Sequence, residues 1–226
     1  MRPSTQAELG RYLDHTLARA DATRRDVERL CAEARAQGFH GVCVNGSRVE
    51  LAYSLLEESA VKVTALVGYP FGAADADVKR YETEVAIDQG AQAIEVVVNV
   101  GRLKDGDQGY VLREFRDLAE AADERPVTAV LEVNLLTEEE TRLACALALD
   151  SGVRAVGTGT CQSGHATVEA VRDLRAAVDA NFGVKAAGGI VDAATALALI
   201  QAGATRLGSS QSVALVQSLA AGIQGL

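Results

Sequence analysis

The sequence predicts an α/β fold, a single (β/α)8 TIM barrel that takes up residues 1–226 as one domain. Three observations predict it. Helical patterns that end in glycine alternate with short apolar strands along the whole chain. The strands are continuously apolar, which is typical of a parallel sheet buried on both faces. About eight such strands can be counted, and 226 residues suffice for one barrel but would cramp a second domain.

The ends of the predicted helices support this alternation. Thr23 stands three residues before Asp26, and Thr137 stands three residues before Glu140 in a capping box. Asp192 is expected to cap the alanine-rich helix that follows it. A glycine at the left-handed position past a helix end follows four helical patterns, at Gly38, Gly90, Gly152 and Gly203.

The choice between a closed barrel and an open sheet completes the prediction. An open doubly wound sheet is the alternative, and it is disfavoured because no Gly-x-Gly-x-x-Gly fingerprint follows the first strand. The expected strands are Tyr12–Leu17, Gly41–Asn45, Val61–Gly68, Ala93–Asn99, Val127–Val133, Ala155–Thr160, Val184–Ala187 and Arg206–Gly208.

Composition excludes several classes of function. The net charge of −9 and the pI of about 4.9 argue against binding to nucleic acid or to a membrane surface. Mean hydropathy is +0.08, and neither a signal region nor an apolar run of about 18 residues is present, so we expect a cytoplasmic protein. The cysteines and histidines lack metal-ligand spacing, so we expect no metal and no cofactor. The histidines His15, His40 and His165 are expected to be structural or surface groups.

Lys185 is the strongest candidate for chemistry, because polar residues near the C-terminal ends of barrel strands converge on one site. Of the four lysines, Lys79 and Lys104 are expected to be solvated, and Lys62 begins a strand at the far end of the barrel. Lys185 lies well inside an apolar run. Burial lowers the pKa of a lysine, which would make it a base or a Schiff-base nucleophile. The alternative is a purely structural ion pair with Glu95 or Glu132.

Two carboxylates and several smaller polar residues complete the predicted pocket. Glu95 lies in an apolar strand, where an unpaired carboxylate costs several kcal/mol, so it either neutralises Lys185 or moves protons. Glu132 raises the same question, and we expect one of the two glutamates to be structural. The remaining pocket candidates are Asp14, Thr16, Cys43, Thr158 and Thr160. Cys43 and Cys161 are expected to be small packing residues.

Glycine-rich segments follow the last two predicted strands. Their backbone amides and hydroxyls suit an anion, and this is where such barrels bind phosphate. A pair of tight turns is the alternative interpretation. The candidate phosphate ligands are Gly188, Gly189, Ile190, Gly208, Ser209 and Ser210.

At these residues the chain resembles the deoxyribose-phosphate aldolase family over nearly its whole length. The resemblance implies a class I aldolase barrel that joins acetaldehyde to glyceraldehyde 3-phosphate, or cleaves 2-deoxyribose 5-phosphate. It implies a lysine Schiff base, no metal and commonly a homodimer. The segments that carry it are Asp14–Leu17, Gly41–Asn45, Val61–Gly72, Ile94–Gly101, Gly183–Ile190 and Gly203–Ser210.

The resemblance also assigns roles by position. It places the phosphate loops on the glycine-rich segments, the family's second lysine on Lys185 and its catalytic aspartate on Glu95. The Schiff-base lysine belongs to a Val-Lys-Thr-Ser-Thr-Gly stretch of the sixth strand. Here that stretch reads Val-Gly-Thr-Gly-Thr-Cys, and Gly157 replaces the lysine. Thr128 stands where the family usually has another lysine.

Three interpretations remain open. In the first, Lys185 forms the imine with Glu95 as acid and base, and the space at Gly157 admits a different or bulkier substrate. In the second, Glu95, Glu132 and Lys185 carry out proton transfers without an imine, as in an isomerase, a dehydratase or a cyclase. In the third, the chain is a catalytically silent binder of a small phosphorylated ligand.

Overall fold

The computed structural model describes residues 3–223, whose eight parallel strands close into a barrel. Each strand pairs with the next, and the last pairs with the first, so the sheet has no free edge. The predicted (β/α)8 architecture is confirmed. The strands are β1 (Leu13–Leu17), β2 (Gly41–Asn45), β3 (Lys62–Val67), β4 (Ala93–Val97), β5 (Val127–Val130), β6 (Ala155–Gly157), β7 (Gly183–Ala187) and β8 (Arg206–Ser209).

Helices surround the barrel and connect its strands. The first of them precedes β1 and packs against the last. Among the described residues, no helix has the length and apolar character that a membrane crossing requires. The helices are α1 (Gln6–Gly10), α2 (Arg24–Gln37), α3 (Val49–Leu56), α4 (Ala76–Asp88), α5 (Val100–Lys104), α6 (Gln108–Ala121), α7 (Glu138–Leu149), α8 (Val168–Ala177), α9 (Ala193–Ala202) and α10 (Ser212–Ile223).

The predicted helix caps are present. Thr137 and Glu140 form the expected capping box at α7, and Thr23 and Asp26 form a second one at α2. Aspartate is shorter than the usual glutamate, yet its carboxylate still accepts the N–H of Thr23 at 2.9 Å. Asp192 caps α9 as expected. Glycines with positive φ follow the helices at Gly38, Gly90, Gly152 and Gly203.

Three strands end two or three residues earlier than the sequence predicts. β4 ends at Val97, β5 at Val130 and β6 at Gly157. Asn99 is not a strand residue, because its side chain accepts the N–H of Arg102 and begins α5. Glu132 takes the left-handed conformation with φ of 56°, which stops β5. The loops above these strands therefore carry Glu132, Thr158 and Thr160.

Lys79 is completely buried, so the expectation of a solvated side chain is wrong. Its Nζ donates to Glu114 Oε1 at 2.9 Å and to the carbonyl oxygen of Val97 at 2.8 Å. Glu114 in turn accepts the N–H of Asn99 at 3.4 Å. Burial lowers the pKa of Lys79 and raises that of Glu114, against their mutual attraction. The pair fastens α4 and α6 to the end of β4.

Removing one member of this pair is expected to destabilise the fold. Lys79→Met or Glu114→Leu alone leaves an uncompensated buried charge, which costs about 3–5 kcal/mol of unfolding free energy. The double variant replaces both charges with apolar groups and should recover most of that loss. Urea unfolding followed by circular dichroism measures the difference. Lys104→Met, in the exposed Lys104–Glu140 pair, is the control and should cost no more than about 1 kcal/mol. A single variant as stable as this control would contradict the prediction.

Candidate active site

Lys185 projects into the barrel from β7 and is only 4% exposed. Its Nζ donates to Asp14 Oδ2 of β1 at 2.5 Å and to Glu95 Oε1 of β4. Asp14 and Glu95 are also buried. The structure therefore brings together three of the predicted site residues in one ion cluster that crosses the barrel interior.

Cys43 and Thr16 adjoin this cluster. The thiol of Cys43 lies 3.6 Å from Glu95 Oε1 and is buried, as expected for a packing residue. Burial and the neighbouring Glu95 carboxylate raise the pKa of Cys43 well above its usual value, so it is a thiol and not a thiolate. Thr16 lies two residues after Asp14 on β1, nearer the mouth, and its hydroxyl donates to the carbonyl oxygen of Asp14 at 3.0 Å.

The charge state of Lys185 differs from the sequence-based expectation. Burial alone would lower its pKa, but the carboxylates of Asp14 and Glu95 outweigh burial and raise it. Burial alone would raise the pKa of Asp14, but the Lys185 ammonium and a hydrogen bond from His40 hold it well below its usual range. Lys185 at rest is thus a paired cation. The sequence pattern predicted the burial of Lys185 correctly, but it could not show that Asp14 pairs with this lysine in addition to Glu95.

Gly157 lies beside Lys185, because the two are register partners on β6 and β7. A Cβ atom placed on Gly157 would lie 3.5 Å from Val130 and 3.6 Å from Thr128, which is ordinary van der Waals contact. A side chain would therefore fit there, and none is present.

Glu132 does not reach Lys185, so it is not the partner that the structural alternative allowed. Its carboxylate accepts the N–H of Thr160 and the hydroxyl of Ser163, and it organises the loop after β6. Thr158 is also occupied: its hydroxyl donates to the carbonyl oxygen of Ala187 at 3.2 Å and joins β6 to β7. These residues shape the wall of the mouth and do not touch the ion cluster.

The two glycine-rich exits meet at the mouth. Gly188 and Gly189 have φ of 103° and 70°, conformations that side-chain-bearing residues rarely adopt, and they turn the chain sharply after β7. The hydroxyl of Ser209 donates to the carbonyl oxygen of Ile190 at 2.7 Å, which ties the two exits together. Gly208 lies on β8 next to Ala187 of β7, and Ser210 is exposed after it. Anion binding by these segments stays a prediction.

The segment after β3 crosses the mouth. Gly68 donates its N–H to Glu82 Oε2 at 2.8 Å, and Gly72 lies against the carbonyl oxygen of Val98. Between them, the hydroxyl of Tyr69 lies 3.4 Å from the carbonyl oxygen of Thr160, after β6. Burial raises the pKa of Tyr69. Sequence reasoning did not select Tyr69, since its position after β3 carries no chemical signature.

The histidines divide between structure and site. His15 lies between Glu33 Oε2, at 2.9 Å, and the carbonyl oxygen of Ser209, so it is structural as expected. His165 is exposed and lies against Gly189. His40 is structural too, because its Nδ1 lies 2.8 Å from Asp14 Oδ1, and it thereby joins the ion cluster. Cys161, expected to be a packing residue, is exposed beside Gly188.

Among the described residues, no group of three His, Cys, Asp or Glu side chains is arranged to hold a metal ion. The structure also has two wide clefts, of which the second is lined by His40. One, of about 370 Å³, separates α7 from α8, and the other, of about 830 Å³, is a groove at the N-terminal end of the barrel. Neither is lined by Lys185.

Known proteins are similar to this chain in both sequence and fold. The model of the DeoC/LacD family of aldolases matches residues 11–221. The deoxyribose-phosphate aldolase of Alkaliphilus oremlandii is 44% identical over 210 residues, 92% of this chain and 95% of that protein. Deoxyribose-phosphate aldolase 1 of Bacillus licheniformis is 45% identical over 216 residues, 95% of this chain and 97% of that protein. The tetrameric deoxyribose-phosphate aldolase of Aeropyrum pernix superposes with a TM-score of 0.91 at 26% identity, covering 97% of this chain and 94% of that one.

The ionised Asp14 predicts an acid-sensitive contribution to stability. Its folded-state pKa lies below the unfolded value of about 4, so the contribution is present above that pH and is lost as the pH falls below it. We expect Asp14→Asn to cost on the order of 2–3 kcal/mol near neutral pH and less as the pH falls. Urea unfolding from about pH 7 to about pH 3 measures this, with the exposed Asp21→Asn as control. A difference that stays constant with pH would show that the ionised carboxylate is not what stabilises the barrel.

Proposed function

We propose, from the premise that this chain belongs to the DeoC/LacD family of aldolases, that it is an aldolase-type lyase in which Lys185 forms the imine. The substrate is a small phosphorylated sugar or aldehyde, and the reaction uses no metal. By analogy with the family, the protein acts in the cytoplasm as a homodimer, although the Aeropyrum pernix relative is described as a tetramer.

The position of Lys185 carries the proposal. Lys62 is exposed at the start of β3, Lys79 is bonded to Glu114 behind β4, and Lys104 pairs with Glu140 on the surface. Lys185 is the lysine inside the barrel, and it lies below the mouth between two carboxylates. An imine requires an amine with an acid and a base beside it, and this arrangement supplies all three.

The replacement of the family's lysine by Gly157 moves the amine one strand sideways. Gly157 and Lys185 are direct neighbours in register, so the displacement is about one strand spacing, roughly 5 Å. The absence of a side chain at Gly157 leaves space beside Lys185, which the carbonyl compound would take. The proposal therefore keeps the family's reaction and changes which lysine performs it.

Imine formation at Lys185 begins with a proton transfer. The ammonium gives a proton to Glu95, which passes it to solvent, and the nitrogen lone pair attacks the aldehyde carbon, so that a C–N bond forms and the oxygen takes a proton. The resulting carbinolamine loses water to give the iminium. A carboxylate then removes a proton from the adjacent carbon, and the enamine attacks the second aldehyde. Water finally hydrolyses the iminium and releases the product; cleavage runs the same steps backwards.

The phosphate is assigned to the exits of β7 and β8. Gly188, Gly189 and Ile190 precede α9, and Gly208, Ser209 and Ser210 precede α10. Backbone amides at such turns and helix starts suit a phosphate, which a protein with net charge −9 would otherwise repel. The bond between Ser209 and Ile190 holds the two segments in one arrangement.

One observation favours a second candidate, an acid–base enzyme that forms no imine. Lys185 is held as a cation by Asp14 and Glu95, and a paired ammonium is a proton donor before it is a nucleophile. Isomerisation, dehydration or cyclisation of a phosphorylated sugar would use the same three groups. Covalent trapping separates the two candidates.

Borohydride trapping tests the imine. Incubation with acetaldehyde followed by borohydride should leave an ethyl group on the peptide that contains Lys185, detected by mass spectrometry. Lys185→Arg keeps a cation between the carboxylates and should abolish the adduct, while Lys104→Arg, at the surface, should leave it unchanged. Turnover of 2-deoxyribose 5-phosphate without any adduct would favour the acid–base enzyme. Thermal stabilisation by that sugar phosphate without turnover would indicate a silent binder.

Adduct formation should depend on pH. Because the pKa of Lys185 is raised, little neutral amine is present near neutrality, and its share grows as the pH rises. We expect the trapping rate to increase from about pH 6 to about pH 9, roughly ten-fold per unit where deprotonation limits the rate. A rate that is flat over this range would contradict the assignment of a paired, protonated Lys185.

Gly157→Lys should restore the family's arrangement. A second amine beside Lys185 is disfavoured as a cation, because like charges lower the pKa of one of them. Cleavage of 2-deoxyribose 5-phosphate should then increase, and Gly157→Ala, which fits the same space, should show no increase. A folded Gly157→Lys variant without added activity would show that the wider site has diverged from that substrate.

A further inference from the structure

His40 connects the ion cluster to the end of the barrel opposite the mouth. It directly precedes β2, and its side chain is 33% exposed. Its Nδ1 lies 2.8 Å from Asp14 Oδ1, while the other oxygen of the same carboxylate bonds Lys185. An ionised carboxylate can only accept, so Nδ1 of His40 carries the proton in this bond. Asp14 thus bridges a solvent-accessible imidazole and the buried amine.

Two glycines make this bridge possible. Asp14 has Gly41 of β2 and Gly208 of β8 as its register partners on either side. A Cβ on Gly41 would lie 3.1 Å from Asp14 Oδ1, and a Cβ on Gly208 would lie 3.3 Å from Lys185 Cε. Both contacts are tighter than normal, so side chains there would push the bridge apart. The sequence leaves room for His40, Asp14 and Lys185 to stand in line.

We propose that His40 is a positioning residue for Lys185, acting through Asp14 from the N-terminal end of the barrel. It touches neither substrate nor reacting atoms. The inference rests on the proposed function only for the reaction that Lys185 performs; the coupling of His40 to Lys185 is a property of the resting protein.

The coupling has two physical parts. The hydrogen bond from His40 fixes the rotation of the Asp14 carboxylate and so keeps its second oxygen on the amine. The same hydrogen bond also draws part of the carboxylate's negative charge toward the imidazole. Without that donor, the whole charge of Asp14 acts on Lys185 and holds it more firmly as a cation. The loss of His40 thus frees the rotation of the carboxylate and restores its full charge. The restored charge makes the neutral, attacking amine scarcer, so we expect the loss of His40 to slow imine formation.

Other charged groups face His40 from the surrounding elements. The groove beside it is lined by Arg11 and Tyr12, which precede β1, and by Arg206 of β8. On the β3 side, Lys62 donates its backbone N–H to the carbonyl oxygen of His40. All of these remain in place when only position 40 changes, so a series of variants at that position isolates the bond to Asp14.

Three substitutions at position 40 test the inference. Asn places an amide N–H where Nδ1 stands and donates without titrating. Gln carries its amide one carbon farther and misses Asp14, and Ala removes the donor altogether. In His40→Ala and His40→Gln the rate of acetaldehyde trapping should fall about ten-fold near neutral pH, with its pH profile displaced upward by about one unit. His40→Asn should return both to within about two-fold of the wild type. Gln201→Ala, in the same groove, is the control and should change neither.

Nuclear magnetic resonance of lysine side chains separates this inference from the proposed function. With four lysines, isotope labelling gives few signals, and that of Lys185 is assigned by its loss in Lys185→Arg. The signal and its titration should move in His40→Ala and His40→Gln and return in His40→Asn, whether or not an imine forms. Absence of a wild-type adduct with these shifts present would reject only the imine. An unchanged Lys185 signal in His40→Ala, or equal impairment in all three variants, would overturn the role of His40.

Discussion

The buried cluster of Asp14, Lys185 and Glu95 constrains the rest of this structure. Two carboxylates lie inside the barrel at 4% and 7% exposure, and moving such charges out of water costs several kcal/mol each unless a cation accompanies them. Lys185 is that cation. Its place on β7 and its charge state are therefore requirements of the fold as well as of any chemistry at the mouth.

Small residues around the cluster follow from the same constraint. Three charged side chains converge from β1, β4 and β7, and small neighbours leave space for them. Gly41, Gly157 and Gly208 occupy positions next to them in register. The apolar packing that stabilises the barrel lies instead between the strands and the helices, where residues such as Val96 and Val184 are fully buried. The inner face of the sheet thus holds the charged cluster, and its outer face provides the apolar packing against the helices.

Local patterns sufficed to predict the barrel, the glycines after its helices and the burial of Lys185. They failed where the outcome depends on which strands face one another across the closed ring. The charge state of Lys185 depends on Asp14, which is 171 positions away in the chain. The burial of Lys79 depends on Glu114, 35 positions away. One of the two glutamates is structural, as predicted, but the sequence left open which one, because no periodicity signals the left-handed backbone that turns the Glu132 carboxylate into the loop after β6.

The contact between Tyr69 and the carbonyl oxygen of Thr160 joins the exits of β3 and β6, which stand three strands apart in a ring of eight. This contact crosses the entrance of the barrel and divides the entrance into two windows of unequal size. The window bounded by β7, β8, β1 and β2 leads to the Lys185 amine past the glycine-rich exits. Under the proposed function, a substrate that enters by this window has the glycine-rich exits beside it, and the contact between Tyr69 and Thr160 bounds the space on its other side.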